Sequence, residues 1–342
     1  MVTGNERLKA LVNGKIIDRI PVFCNLIDQG AKELGIPIKD YFSNGEYVAE
    51  AQLNMREKYG YDSLWSLFYA GKEAELLGCQ KMIYSENGPP NVGHMVIRNY
   101  DDIHKLQIPN DLASHPALAE PLKCLKILKQ EAGGKYPICA YLTSSMTLPA
   151  MLMGIEKWME LLLFGPPDVR DELLEKCSDF FNRHHAIYKN AGADIFVYSN
   201  PFGSTDFVSM NQFNELSLPW IQKDLQTEGT RGVVYYCGSA RMNSVIDTVI
   251  EKLGLKTFYL SPMDDIAEAK KIIAGRALAA GVINDIELIR WTKDEIRTEV
   301  KRMFDAGRPG GKFFFGTLVM PYNIPEENIK YMLEMVYEFG KA

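Results

Sequence analysis

Cysteine is scarce and scattered: Cys24, Cys79, Cys124, Cys139, Cys177 and Cys237 form no CxxC pair in 342 residues. That spacing excludes a disulfide scaffold or a zinc ribbon and leads us to expect free thiols in a reducing cytoplasm. Long apolar runs are also missing. No stretch reaches the roughly 18 residues needed to cross a bilayer, and the opening MVTGNERLKALVNGK carries charge where a secretory leader would be apolar. A cytoplasmic protein without a membrane partner is therefore expected. Basic residues are in the minority, 38 Lys and Arg against 44 Asp and Glu for a formal charge of -6, and they form no cluster. A nucleic-acid partner is excluded on that ground, since it would need a concentrated basic face.

The nucleotide and metal signatures are absent too. Neither GxGxxG nor GxxxxGK[ST] occurs, and there is no HExxH, no HxH and no His/Cys cluster at ligand spacing. Histidine is limited to five residues. His184 and His185 are adjacent in a helical stretch, where neighbours diverge by about 100°, so a solvated helix face is the expectation. Of His94, His104 and His115, His94 alone is placed to reach a site.

What the chain has is alternation. Short runs rich in β-branched and aromatic residues recur at 20–27, 63–68, 137–143, 194–199, 232–237, 257–261, 277–283 and 312–318. They read as buried parallel strands. Between them lie helical patterns such as 151–164, with Met151, Ile155, Trp158, Met159 and Leu162 in phase, and 166–191, which opens on Pro-Pro-Asp. Eight strands alternating with helices predict an α/β fold of the TIM type, a (β/α)8 barrel with an N-terminal helical cap, in one domain over 1–342. Residues 80–100 read as a β-hairpin with a Gly-Pro-Pro turn, inserted near the barrel mouth.

In such a barrel the chemistry sits at the C-terminal ends of the strands. Those ends supply Asn25 and Asp28; Tyr69, Glu73 and Glu75; Tyr141, Ser144 and Ser145; Ser199, Asn200 and Phe202; Tyr235, Tyr236 and Cys237; Ser261; Asn284 and Asp285; Thr317 and Met320. About half must face away from the cavity, because strand side chains alternate. The set is polar, aromatic and poor in positive charge, which suits an uncharged or aromatic molecule better than a polyanion. Core packing is the competing reading for each aromatic, and Cys237 alone would be packing.

Several segments, taken in order, carry a family likeness: NERLKALVNGKIIDRIPV at 5–22, KEAELLG at 72–78, MGIEKWMELLLFGPPDVRDELLEK at 153–176, AGADIFVYSNP at 191–201, LPW at 218–220, Tyr-Tyr-Cys-Gly at 235–238, ALAAGVIND at 277–285, and GGKFFFG with PEENI near the end. The chain resembles the uroporphyrinogen decarboxylase superfamily, and within it the corrinoid-dependent methyltransferase branch. Two departures set it apart from the decarboxylases. Their arginine-bearing segment after the first strand reads Phe-Cys-Asn-Leu-Ile-Asp-Gln-Gly here, and their strand-eight Gly-His-Gly is replaced by Gly-Thr-Leu at 316–318.

Thiol-activating methyltransferases of the branch hold zinc through a His-x-Cys on strand five and a Cys after strand eight. Here Cys237 matches, but Tyr235 stands at the histidine position and Leu318 near the second cysteine, so the resemblance implies no zinc and no metal ligand. It implies instead a methyltransferase that moves a methyl group from a small methoxylated aromatic donor to the Co(I) corrinoid (cobalamin) of a partner protein, an O-demethylation. Tyr235 or Tyr236 is then the expected proton donor, supported by Asn200 or Asp285. A decarboxylase of a small acid, and a non-catalytic barrel that binds a corrinoid or tetrapyrrole, are the alternatives.

Overall fold

The computed structural model describes residues 2–342. Eight parallel strands form the sheet: β1 (Val22–Asn25), β2 (Leu64–Trp65), β3 (Ile138–Thr143), β4 (Ile195–Ser199), β5 (Val233–Tyr236), β6 (Thr257–Tyr259), β7 (Leu278–Val282) and β8 (Phe313–Val319). Seven fall within the expected runs, and β8 overruns its own by one residue, Val319. Successive strands pair in parallel from β2 through β8, and β8 then pairs with β1. The result is the (β/α)8 barrel, with side chains of alternate residues packed inside it and helices outside.

The seam between β1 and β2 is closed without a ladder, because β2 is only two residues long. Asp62 does the work there. Its backbone N–H donates to Val22 O at 2.7 Å, and its buried carboxylate accepts from Val22 N at 2.8 Å and from Arg7 and Arg19. The Trp65 indole N–H adds a bond to Cys24 O at 3.0 Å. The N-terminal motif thereby acquires a physical meaning. Thr3 and Glu6 form a capping box on the helix Gly4–Val12, Arg7 reaches Asp18 and Asp62, and Leu8 and Leu11 plug the N-terminal end of the barrel. This helix is the cap that the sequence predicted.

Elsewhere the local expectations need amendment. The pattern at 151–164 is two helices, Leu148–Met153 and Ile155–Phe164, broken at Gly154, whose φ of 89° ends the first and starts the second. The helix Pro167–Ala191 runs unbroken to Gly192. His184 and His185 are not solvated: both are buried against the barrel, in tilted or edge-on contact with Phe180, Tyr188, Phe181 and Phe196. Burial holds the His185 imidazole down at about 4, so it is neutral. The insertion does pair as a hairpin, Met82–Ile83 against Asn91–Val92. Its outgoing arm is fastened to the helix pair by Ile97 N–H to Leu152 O and by Lys157 to Arg98 O, which seats it beside the mouth on the β3 side. No helix among the described residues is long and apolar enough to cross a membrane.

Candidate active site at the barrel mouth

Alternation along the strands decides which of the expected residues meet. The barrel interior holds Phe23, Trp65, Tyr141, Val197, Val234, Tyr236, Tyr259, Val282, Phe314 and Leu318. Their rings form a continuous belt. Phe68 stacks on Tyr141 at 4.4 Å, and edge contacts lead from Tyr141 to Tyr236 (5.9 Å), Tyr259 (6.1 Å), Phe314 (6.1 Å) and Phe23 (5.4 Å). Trp65, Phe68, Tyr259 and Phe314 were not among the expected site residues. One signal for them was Gly316 in the middle of β8: a side chain there would collide with the Tyr259 ring, so the missing Cβ marks where that ring lies.

Polar groups gather at the C-terminal end of this belt. Asn25 donates from Nδ2 to the Tyr141 hydroxyl at 3.2 Å, and is itself fixed by its N–H to Thr317 Oγ1 and by Ile27 N–H to its Oδ1. Tyr236 lies with its hydroxyl beside that of Tyr141, and Asp285 is within electrostatic reach. Burial pushes the Asp285 carboxyl up to about 6, and the same burial, with Asp285 nearby, pushes the Tyr236 phenol above its ordinary range. Asp28, 3% exposed with one oxygen lacking any partner, is pushed up to about 7 by burial alone. Ser199 shares the inward side of β4 with Ile195 and Val197, and Asn284 caps the turn Glu287–Ile289 through Glu287 N–H. Two cations that follow strand ends are paired with carboxylates, Lys72 with Glu75 at 2.9 Å and the exposed Arg241 with Asp206 at 3.4 Å.

Other expected residues lie behind this layer. Tyr235 points outward, buried between Tyr198 and Phe258, and its hydroxyl accepts from Asn200 Nδ2 at 3.0 Å, while Asn200 Oδ1 accepts from Ser144 at 2.8 Å. Consecutive strand residues face opposite ways, so with Tyr236 inside, Tyr235 and Cys237 must be outside. The assignment of Tyr235 and Asn200 as a proton-donating set is corrected accordingly. Glu73 is also outside: it accepts from Thr143 N–H at 2.9 Å and sits 3.4 Å from His184 under the long helix. Tyr69 donates to Glu75 with its ring against Phe42, Met320 packs in the outer core, and Thr317 serves as a strut for β1. Ser145 and Tyr198 both donate to buried Asp224, and Ser261 donates to Ser239 O. Phe202 lines the rim, 4.7 Å from Phe207.

Tyr235→Phe gives a direct check on this division. We expect a loss of about 1 kcal/mol in stability, because Asn200 loses an acceptor, with turnover changed less than about threefold; denaturant melts and initial rates measure the two.

A groove of about 750 Å3 opens at the opposite end of the barrel, between the N-terminal helix and the loops carrying Arg231 and Lys256. It is remote from the strand C-termini, so we assign the chemistry to the mouth.

A family model described as uroporphyrinogen decarboxylase (URO-D) matches residues 3–339. The chain belongs to this family. Among curated relatives, URO-D family resemblance extends to a methylcobamide:CoM methyltransferase, MtaA, of Methanosarcina barkeri, 25% identical over 89% of this chain and 90% of the relative. A uroporphyrinogen decarboxylase of Geobacter sulfurreducens is 26% identical over 72% of each. Among solved structures, a methyltransferase from Methanosarcina mazei superposes with a TM-score of 0.83 over 99% of both chains at 21% identity, which establishes the shared fold.

The zinc site of the family's thiol-activating members does not fit this chain. Tyr235 and Cys237 lie in the outer layer whereas Leu318 points into the barrel, so the three positions do not converge. Burial also pushes the Cys237 thiol well up, away from the thiolate that zinc needs. Among the described residues no group of three or more His, Cys, Asp or Glu is arranged to hold a metal ion. Elemental analysis of dialysed protein is expected to give well under one zinc per chain, unchanged by Cys237→Ala. One tightly held zinc that Cys237→Ala removes would overturn this.

Proposed function

We propose that this URO-D family barrel is a corrinoid-dependent methyltransferase that takes a methyl group from a small methoxylated aromatic and delivers it to the reduced corrinoid of a partner protein. The observation that carries the reading is the mouth itself: a belt of aromatic rings ending in Tyr236, with Asp285 near it and Lys72 and Arg241 paired with carboxylates. Rings of this kind accept a flat neutral substrate by stacking. A tetrapyrrole with many carboxylates would lack its counter-ions here, which sets the reading apart from that of the decarboxylase relatives. The similarity to a methylcobamide:CoM methyltransferase supports corrinoid chemistry.

The chain's own part is to bind the arene, exclude water and manage one proton. In the transfer the ether C–O bond breaks, its electron pair stays on oxygen, and the methyl carbon bonds to the partner's Co(I), which supplies the new pair. The oxygen left behind is a phenolate, which under this reading lies beside the buried Tyr236. Tyr236 retains its proton at neutral pH because its phenol is pushed up, so it can hydrogen-bond that oxygen as charge develops. Such assistance is typically worth 10²–10⁴-fold.

The test combines the protein, a reduced corrinoid protein and a panel of methoxyarenes, and follows the visible spectrum from the Co(I) to the methylated form. Methylation with at least one arene and stoichiometric release of the phenol are expected. Failure with every donor and partner, together with CO2 release from a carboxylated substrate, would move the assignment to a decarboxylase.

A further inference from the structure

A second groove, of about 600 Å3, runs between the hairpin and the helix pair that follows β3, and reaches Phe202 just beyond the end of β4. Its volume is within the range of small-molecule pockets, roughly 300–1,000 Å3. Met95 from the hairpin arm, Met151 and Met153 from the helix, and Phe202 supply apolar walls. Thioethers on unbranched chains adapt their shape to a ring or alkyl chain. The break at Gly154 keeps one side open: Met95 Sδ lies 4.0 Å from where a Cβ would stand.

Among these apolar walls lies an unexplained hydroxyl. Thr147 is 3% exposed and lines the groove, yet its Oγ1 has no hydrogen-bond partner. A threonine at a helix start ordinarily satisfies its hydroxyl on nearby backbone, and leaving it dry is costly. The charged residues of the lining, Glu156 and Lys157, are exposed at its outer edge, and Lys157 donates to Arg98 O, so the neighbours of Thr147 in the groove are apolar. A groove of this character matches an apolar extension carrying one neutral hydrogen-bonding group.

We propose that the groove is a specificity subsite for the part of the donor remote from its methyl group: a short apolar side chain or second ring ending in a hydroxyl or carbonyl, which pairs with Thr147. The inference rests on the methoxyarene reading of the mouth. It goes further by selecting extended donors over single unsubstituted rings.

The test measures equilibrium binding of 2-methoxyphenol, 4-propyl-2-methoxyphenol and 4-(3-hydroxypropyl)-2-methoxyphenol to the full chain by calorimetry, without the corrinoid partner. The propyl group should tighten binding about tenfold, and the terminal hydroxyl about threefold more. Thr147→Val should abolish the second gain and keep the first, Thr147→Ser should retain both, and Met151→Trp should remove the first by filling the groove. Circular dichroism and melting curves confirm that each variant folds. Equal affinity for the three arenes in the wild-type protein, or an extension gain untouched by Met151→Trp, overturns the subsite, as does a wild-type protein that binds none of them. If the gains appear as described but no arene is demethylated, the subsite stands and the methyl-transfer reading falls.

Discussion

Tyr236→Phe should lower methyl transfer from a methoxyarene by on the order of 10²-fold while leaving donor affinity within about threefold. The substitution removes one oxygen and keeps the ring, so the edge contacts to Tyr141 and Tyr259 persist and the aromatic belt proposed to bind the arene is unchanged. What is lost is a donor aimed at an oxygen that becomes negative only as the C–O bond breaks. An interaction made mainly in the transition state appears in kcat and kcat/KM together, with KM little moved. Single-turnover rates with a reduced corrinoid protein in excess would isolate the methyl-transfer step. The contrast with Tyr235→Phe is diagnostic, since the two residues are adjacent, are both buried and lose the same atom. Equal effects of the two substitutions, or a Tyr236→Phe rate within threefold of wild type, would remove Tyr236 from the chemistry.

The sequence foretold the strands for the same reason that it concealed the facing of their side chains. Strands covered on both faces read as continuous apolar runs, which makes β5 and β8 easy to find, but such runs have no polar face to set the phase. Val233–Tyr236 offers two consecutive tyrosines, and the packing of Tyr236 with Tyr259 among the interior residues, not the sequence, fixes which one faces inward. Gly316 did hold a clue, because a glycine inside Phe-Phe-Phe-Gly-Thr-Leu-Val implies that another side chain uses its space, and that side chain is Tyr259. The burial of His184 was also readable: it lies on one helical stripe with Cys177, Phe180, Phe181 and Tyr188, all of them buried. Glu73 and Tyr69 were not readable in the same way. Their partners, Thr143 and Glu75, are chosen by how the loop after β2 folds back, and no spacing rule encodes that.

Asp28→Asn should stabilise the protein by about 2 kcal/mol at pH 8 and give no gain at pH 4. Asp28 follows β1 in the segment where the decarboxylases carry arginine. It is 3% exposed, one of its oxygens is unpartnered, and burial alone raises its carboxyl from 3.8 to about 7. Well below pH 3.8 the group is protonated in both the folded and the unfolded chain, so its ionisation exacts no penalty. Between pH 4 and 7 the unfolded chain releases the proton first. The stability that the neutral carboxyl contributes is therefore lost progressively as pH rises, and the loss is complete once pH exceeds the folded value. A shift of about three units corresponds to roughly 4 kcal/mol. An asparagine of the same shape avoids that ionisation but brings an amide that needs partners of its own, which offsets about half the gain. The diagnostic quantity is the difference in unfolding free energy between variant and wild type, measured by urea titration at each pH. It should climb from about -1.5 kcal/mol at pH 4, where the amide cost is hardly offset, to a plateau of about 2 kcal/mol above pH 7. A difference independent of pH would mean that Asp28 does not titrate in this range, and that a counter-charge at the mouth holds it ionised. Under that outcome the mouth would contain a cation after all, and the argument for a neutral aromatic donor would lose its main support.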